Sequence, residues 1–280
     1  MFLLPRVATG GFVAFADVGQ GDATIVRLAS RQVMLVDVGG KMNLPKPPWA
    51  VSQKHDFQAR QLVQFLRGKG VTRVQQLVLT HKDIDHIGNL PYFLERISVD
   101  KIFVPLGMMQ TKAYQKLVAP YCKGASVHEV QAGMRLNRWT LVKHPLESGT
   151  GENEDSVALL VDTGPKRLML TGDLDQAGER KLLDDPMLGR VPILKFGHHG
   201  SKTSTASEFV QRLQPSVGIV SAGVKNRFGH PNQETLFTAH QHKMQVFSTA
   251  ESGMMQYCWS GKHDQWQAEI TSSIQLPGRP

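Results

Sequence analysis

Two histidines and two aspartates fall within six consecutive residues, directly after a predicted buried strand. The strand is 75–79, and the segment that follows it, 80–86, reads THKDIDH. Imidazole and carboxylate together form a ligand set that suits zinc, manganese or iron. Four such side chains exceed what one tetrahedral ion usually takes from a single loop, so the segment predicts a pair of metals. The candidate ligands are His81, Asp83, Asp85 and His86. The alternative is a solvated polar turn that caps a helix beginning near Gly88.

A further carboxylate, Asp173, ends the sequence LMLTGD, in which an apolar strand is predicted over 167–170. Aspartates after strands are common turn formers, so this residue on its own is a weak signal. Beside the first cluster it becomes a candidate bridging ligand, because one carboxylate can span two cations ~3.5–4 Å apart.

The segment 195–204, KFGHHGSKTS, also follows a predicted strand. Adjacent histidines are expected to point apart, so at most one of His198 and His199 would bind metal. The other would orient the substrate or protonate a leaving group. The order of residues differs from that of a nucleotide-binding phosphate loop, which excludes that type of site. The alternatives are an exposed turn before a helix and a loop that holds a phosphate. The predicted phosphate contacts are Ser201, Lys202 and Thr203.

Several other polar residues extend the candidate site. His230 is either the last metal ligand or a surface turn histidine. Asn153 supplies an amide oxygen or belongs to a merely polar loop. Asp37 holds a metal-binding histidine in one tautomer or caps a turn. The predicted substrate contacts here are Asn226 and Arg227, and basic residues expected to attract phosphate non-specifically are Lys195, Lys225 and Arg227.

The composition is that of a globular chain with a basic surface. The 280 residues include 32 Lys and Arg against 24 Asp and Glu, and the resulting charge of +8 fits a phosphate-rich partner. The two cysteines, Cys122 and Cys258, stand in no CxxC spacing, which excludes a disulfide framework and a cysteine-based zinc site. No apolar run reaches the ~18 residues of a membrane helix, and no secretory signal is recognised. We therefore expect one cytoplasmic domain over 1–280.

Short apolar segments alternate with glycine and polar turns along the whole chain. Strands predominate, and helices are interleaved in both halves. This pattern predicts an α/β fold in which two sheets are covered by outer helices.

The motifs together resemble a known family. The elements HxDxDH at 81–86, TGD at 171–173, DVGQGD at 17–22 and HHGS at 198–201 are similar to those of metallo-β-lactamase-fold hydrolases. They are most similar to the C-terminal hydrolase domain of ComEC-type DNA-internalisation proteins, over about 12–259. The resemblance implies an αββα sandwich of two mixed β-sheets, with a dimetal site at their shared edge.

The resemblance also implies roles for individual residues. Asp83 stands where the family usually has a second histidine, and Asn153 stands where relatives carry a third. Asp173 matches the bridging carboxylate, while the later histidines match positions whose metal-binding role is left open. Gln20 and Asp22 match the opening motif and are expected to brace the site. Full-length relatives carry membrane helices ahead of this domain, so the chain is either freestanding or the hydrolase part of a larger product.

These observations lead to one hypothesis and two alternatives. The hypothesis is a two-metal phosphodiesterase, a nuclease acting on DNA, in which Asp85 with His198 or His199 performs catalysis. Asp83 makes the site harder and more anionic, which favours manganese, with zinc as the alternative. The alternatives are hydrolysis of a small ester, lactone or thioester, and a DNA-binding module with a degraded metal site. The expected partners are DNA and a membrane transporter, which would place the domain outside the cytoplasm; the oligomeric state is left open.

Overall fold

Strands supply most of the regular structure of the chain. The computed structural model describes residues 10–41, 57–144, 151–224, 226–260 and 263–268. The strands within these ranges, in chain order, are β1 (Gly11–Phe15), β2 (Thr24–Arg27), β3 (Val33–Val36), β4 (Arg73–Val78), β5 (Ser98–Pro105), β6 (Ser126–Val130), β7 (Arg135–Asn137), β8 (Thr140–His144), β9 (Ala158–Asp162), β10 (Arg167–Leu170), β11 (Ile193–Lys195), β12 (Val217–Val220), β13 (Gln245–Ser248), β14 (Met255–Ser260) and β15 (His263–Ala268).

The strands form two mixed sheets. The first sheet has the order β15-β14-β1-β2-β3-β4-β5-β6, in which β3 to β6 run parallel and the other neighbours are antiparallel. The second has the order β13-β12-β11-β10-β9-β8-β7, in which β10 to β13 run parallel and the remaining pairs are antiparallel. Parallel neighbours need crossover connections, and helices supply most of them.

The helices in the described ranges are short. They are α1 (Phe57–Gly68), α2 (Ile84–Ile87), α3 (Leu90–Leu94), α4 (Lys112–Leu117), α5 (Gln176–Leu182), α6 (Ser207–Leu213), α7 (Gln233–Gln241) and α8 (Thr249–Ser252). None of the helices in this part of the chain is long and apolar enough to cross a membrane.

The two-residue period of the strands divides the apolar side chains between two faces. In β1, Val13 and Phe15 point into a core shared by both sheets, whereas Phe12 packs outward with helix α1. In β10, Leu168 points into the shared core, whereas Met169 packs outward with helices α5 and α6. The result is four layers, helix–sheet–sheet–helix, which confirms the predicted αββα sandwich. The single domain predicted for 1–280 stays a prediction, since the structure describes only the ranges given above.

Strands β7, β8 and β15 were not predicted from the sequence. Strand β7 has three residues, of which only Leu136 is buried, so it carries no alternating pattern. Strand β15 is an edge strand whose polar side chains face solvent, and its one large apolar contribution is Trp266, which packs against Phe247 and Tyr257. Tertiary contacts rather than local periodicity therefore define these strands.

The carboxyl ends of parallel strands bring polar segments to one edge of the sandwich. Asp37 follows β3 and the segment 80–86 follows β4, while Asp173 and His198 follow β10 and β11. The turn that carries Asp173 approaches the first sheet closely, because a Cβ on Gly172 would lie 2.9 Å from the Cβ of Thr80. Gly172 has a φ of +55°, so this turn requires glycine for its conformation as well as for the close approach.

A buried carboxyl group anchors the loop that follows the two histidines. Glu179 of α5 is 1% exposed and accepts hydrogen bonds from the N–H groups of Thr205, at 2.8 Å, and Ala206, at 2.7 Å. Burial raises the pKa of Glu179 to about 8, although the two backbone donors favour the ionised form. The folded chain therefore retains a proton that the unfolded chain loses near pH 4.5.

We expect the Glu179 side chain to make the fold less stable as pH rises. Between the unfolded pKa of 4.5 and the folded pKa of about 8, the folded state binds the extra proton, so the free energy of unfolding falls with pH. The slope from this group is at most about 1.4 kcal/mol per pH unit. Urea unfolding of wild type and Glu179→Gln at several pH values isolates the contribution of Glu179 to the free energy of unfolding, because the other groups titrate equally in both proteins. Parallel pH profiles for the two proteins would contradict the assignment.

Candidate metal centre

Loops from both sheets converge on a buried cluster of carboxylates and imidazoles. One side-chain nitrogen or oxygen from each of four residues lies within 4.8 Å of the others. The four residues are Asp22, His86, Asp173 and His199, and each is at most 4% exposed. Asp22 comes from the β1–β2 connection, and the other three come from α2 and from the carboxyl ends of β10 and β11.

The Asp173 carboxylate occupies the centre of the cluster. Its Oδ1 lies 3.1 Å from Nε2 of His86. Its Oδ2 lies 3.6 Å from Nε2 of His199, 3.8 Å from Nε2 of His198 and 3.9 Å from Nε2 of His81. One carboxylate from the second sheet therefore faces four imidazoles, and two of these, His81 and His86, belong to the first sheet.

The remaining aspartates of the first motif divide these imidazoles into two groups. Oδ2 of Asp83 lies 3.9 Å from Nε2 of His81, whereas Oδ2 of Asp85 lies 3.2 Å from Nε2 of His199. His81 with Asp83 therefore forms one set of nitrogen and oxygen donors, and His199 with Asp85 forms another. The ring of His86 lies between them, 4.1 Å from that of His81 and 5.3 Å from that of His199. Asp173 touches both sets.

Hydrogen bonds fix the imidazoles so that Nε2 faces the cluster. Nδ1 of His86 lies 2.7 Å from Oδ2 of Asp37, which also accepts the Thr80 hydroxyl proton at 2.7 Å. The same hydroxyl oxygen lies 3.0 Å from Nδ1 of His81 and, having donated its proton, accepts one there. Nδ1 of His199 donates to the main-chain oxygen of Ser221 at 2.9 Å. In each ring the partner holds Nδ1, so Nε2 is the nitrogen that faces Asp173.

The cluster fits a divalent cation. Nε2 of His81 is buried and has no hydrogen-bond partner within the described ranges. A buried polar atom without a partner costs about 1–3 kcal/mol. Nε2 of His86, also buried, lies 3.1 Å from Oδ1 of Asp173, and a ring nitrogen that faces a carboxylate oxygen needs a proton or a metal ion between the two atoms. Mixed nitrogen and oxygen donors suit zinc, manganese or iron.

Electrostatics in the metal-free protein follow from the same arrangement. Burial, together with the neighbouring His86, lowers the pKa of His81 to about 3, which keeps that ring neutral. Burial opposes ionisation of Asp173, but His86 and His199 outweigh it and hold the pKa of Asp173 well below its usual range. Burial likewise opposes the charge on His199, yet the carboxylates around it, Asp173 first, raise its pKa to about 9.

The backbone at the two adjacent histidines is left-handed. His198 has a φ of 46° and His199 a φ of 56°. The expectation that these side chains point apart is therefore wrong, because both Nε2 atoms come within 4 Å of Oδ2 of Asp173. Alternation of side chains holds for an extended strand, and this segment has left that conformation. Non-glycine residues at positive φ cost of order 1–3 kcal/mol and cluster at functional sites.

Lys195 is structural, contrary to the expectation that it attracts phosphate from solvent. Its side chain is 2% exposed, contacts the carboxylate of Asp22 and donates to the main-chain oxygen of Phe196 at 3.0 Å. Asp22 in turn lies 3.4 Å from Nδ1 of His199. Burial opposes ionisation of Asp22, but Lys195 and His199 lower its pKa. Lys225 lies outside the described residues.

The predicted phosphate loop lies beside His198. Oγ1 of Thr203 lies 3.1 Å from Oγ of Ser201 and 3.4 Å from Nδ1 of His198. Lys202 and Thr203 are exposed, whereas Ser201 is buried. These residues therefore border the cluster on its solvent side.

Three further predicted residues lie at the rim or outside the cluster. The ring of His230 lies 5.7 Å from that of His198 and 6.2 Å from that of His199. The Asn226 amide is engaged by the main chain: it donates to Gly223 and His230 oxygens and accepts from the His230 N–H. Asn153 is half-buried and begins the short 3₁₀ turn Asn153–Asp155 between β8 and β9.

Some supporting groups were not anticipated from the sequence. Thr80 was predicted only as part of the loop, yet its hydroxyl connects Asp37 with His81. The Ser221 carbonyl carries no side-chain signal at all. A lysine at the end of a three-residue buried strand is a usable signal for a buried ion pair, because an unpaired lysine is rarely fully buried.

We expect Lys195→Met to destabilise the chain by about 3–5 kcal/mol, because it leaves the Asp22 carboxylate buried without its partner. The double variant Asp22→Asn/Lys195→Met should be more stable than Lys195→Met, since no lone charge remains. The matched control is Lys166→Met, whose exposed ammonium lies 3.9 Å from Asp264 and whose loss should cost under about 1 kcal/mol. Urea unfolding measures all three, and equal costs for Lys195→Met and Lys166→Met would refute the buried pair.

Comparison with known proteins supports the family. Residues 16–121 match the metallo-beta-lactamase superfamily model. The chain is 34% identical over 270 residues to ComE operon protein 3 of Bacillus subtilis, covering 94% of this chain and 35% of that protein. It is 28% identical over 239 residues to Recombination protein 2 of Haemophilus influenzae, covering 85% of this chain and 28% of that protein. The chain thus spans about a third of the length of these relatives.

A solved structure shares the fold. The metallo-beta-lactamase fold protein YhfI of Bacillus subtilis superposes with a TM-score of 0.56 at 12% identity, covering 90% of this chain and all of that one. At this identity the likeness concerns the fold alone. Taken with the sequence matches, it establishes that this chain carries a metallo-β-lactamase domain similar to ComEC-type competence proteins.

Proposed function

We propose that this chain is a two-metal phosphodiesterase that cleaves DNA. The observation that carries the proposal is the Asp173 carboxylate, which touches two separate sets of nitrogen and oxygen donors. His81 and Asp83 would hold one ion and Asp85, His86 and His199 the other, with Asp173 shared between them. Asp83, a hard oxygen donor, favours manganese over zinc. Asn153 and His230 remain proposed ligands.

Divalent ions in such a site supply Lewis acidity, which activates water and neutralises charge on a phosphoryl group. The protein residues supply position and protons. Asp37, Thr80 and the Ser221 carbonyl hold three imidazoles in a single orientation, with Nε2 towards Asp173. Asp22, itself paired with Lys195, lies 3.4 Å from the same Nδ1 of His199 that the Ser221 carbonyl holds. The ligand atoms are therefore oriented in advance, which reduces the reorganisation needed during reaction.

His198 is the better of the two adjacent histidines for proton transfer. Both nitrogens of His199 are engaged, Nδ1 by the Ser221 oxygen and Nε2 by Asp85. The side chain of His198 is 32% exposed and stands beside the hydroxyl of Thr203. We propose that His198 protonates the leaving oxygen, a contribution of about 10²–10⁴-fold.

Several features support a nucleic acid as the substrate. The exposed Thr203 hydroxyl lies beside His198, where a phosphate would approach, and the neighbouring Lys202 is also exposed. The net charge of +8 favours a polyanion. The relatives are named for competence and recombination, processes that handle DNA. Participation in DNA uptake with a membrane transporter is part of the same proposal. So is the cellular compartment in which the chain acts.

Metal content tests the shared carboxylate. After reconstitution with Mn²⁺ or Zn²⁺ and desalting, we expect about two ions per wild-type chain and fewer than one in Asp173→Ala, because both donor sets lose their common ligand. Asp37→Ala should weaken metal affinity about 10–100-fold by releasing His86. The matched control is His128→Ala, because His128 is exposed and forms a hydrogen bond with Ser126. Elemental analysis reports the content, and full occupancy of Asp173→Ala would count against the site.

Cleavage assays test the reaction. Oligonucleotides labelled and blocked at either end are incubated with the reconstituted protein, and product lengths report endo- or exonuclease action. We expect Asp173→Ala to abolish cleavage, and His198→Ala to lower kcat about 10²–10⁴-fold with metal content retained. Activity should fall steeply with salt. Turnover of a chromogenic ester or thioester without any oligonucleotide cleavage would instead favour a small-molecule hydrolase. DNA binding without cleavage by any metal-loaded form would favour a DNA-binding module with a degraded metal site.

A further inference from the structure

An exposed aromatic ring borders the candidate metal centre. Phe228 lies in the β12–α7 connection and is 46% exposed. Its side chain lines a cavity of about 200 Å³ together with Asp85, one of the proposed metal ligands. The other lining residues are Gln20, Gly40, Lys41, Gln58, Asn226 and Arg227. The position of this ring beside a polar reaction centre points to a role in binding, because its apolar surface remains in contact with water.

The ring is held in place rather than loosely exposed. Its centroid lies 5.8 Å from that of His230, with an interplanar angle of 24°. The Asn226 amide ties both ends of the surrounding loop, since it donates to the main-chain oxygens of Gly223 and His230. Oε1 of Gln20 accepts the Gly223 N–H at 3.3 Å. The loop therefore presents the phenyl ring in a fixed orientation next to the cluster.

The chemistry around the ring combines a flat apolar face with positive charge. The guanidinium of Arg227 lies 5.0 Å from the centroid of Phe228, and Lys41 lines the same cavity. Neither cation is paired with a carboxylate among the residues that the structure describes. A cavity of about 200 Å³ is smaller than the ~300–1,000 Å³ typical of small-molecule pockets. It suits one planar ring whose charged substituent remains outside.

We propose that Phe228 is a stacking platform for an unpaired base of single-stranded nucleic acid, with Arg227 and Lys41 contacting the adjoining backbone phosphates. The inference rests on the proposed phosphodiesterase function and specifies the substrate class of that site. A base in a duplex is stacked on its neighbours and cannot offer a face to the protein, whereas a base in a single strand can. Asp85 lines the same cavity, so a base stacked there has its phosphate next to the metal ligands.

Binding to a fluorescent single-stranded oligonucleotide tests the platform, measured by anisotropy in EDTA so that no cleavage occurs. We expect Phe228→Ala to weaken binding about 5- to 140-fold, the range for one base–aromatic stack, and Phe228→Trp to retain it. The matched control is Phe237→Ala, because Phe237 is 53% exposed on α7 and does not line the cavity. An unchanged unfolding midpoint shows that each variant is folded.

An abasic strand of the same length separates stacking from charge. Wild type should bind it as weakly as Phe228→Ala binds the normal strand, and Phe228→Ala should lose nothing further. The platform would be overturned if Phe228→Ala and wild type bound the normal strand with equal affinity. It would also be overturned if Phe228→Ala weakened binding to the abasic strand by the same factor as binding to the normal strand. Base-dependent binding through Phe228 without cleavage by any metal form would refute the nuclease while the platform stands. If the metal-loaded protein cleaved DNA but Phe228→Ala bound DNA as tightly as wild type, the platform would be refuted and the nuclease would stand.

Discussion

The shared Asp173 carboxylate is the interaction on which the site depends. It stands on a loop of the second sheet and faces His81 and His86 of the first, so it joins the two halves of the sandwich at their polar edge. Burying several charges in one place is unfavourable unless each finds an opposite charge or a ligand. The surrounding pairs, Asp37 with His86 and Asp22 with Lys195, meet that requirement around the cluster. A cation among the remaining unpartnered atoms would complete it.

Much of the fold was predictable because burial imposes periodicity on the sequence. Strands β1 and β10 alternate between two apolar faces, and this pattern already implied layers of helix and sheet. Strands β7 and β15 escaped prediction because one inward residue in each, Leu136 and Trp266, cannot establish a period. Their pairing is a consequence of neighbouring strands rather than of their own composition.

The site was predictable where its residues are of types that commonly bind metals. The motif at 81–86 and Asp173 pointed to one place, and both lie in the cluster. What sequence reasoning could not supply was backbone conformation and burial. It expected the side chains of His198 and His199 to point apart, and it assigned Lys195 to solvent although Lys195 supports Asp22 inside the protein. Main-chain groups such as the Ser221 oxygen carry no signal in the sequence, even though they determine which ring nitrogen is free.

The left-handed turn at 198–200 has a consequence for engineering. Its φ values are 46°, 56° and 79°, so three consecutive residues leave both regular conformations of an L-polypeptide. The adjacent histidines can share one target only while this turn persists. Transplanting the HHGS motif onto a helix or strand of another scaffold would separate the two rings. A designer who wants both imidazoles at one centre must copy the turn, the Ser221 carbonyl that holds the His199 ring and the glycine that ends the turn.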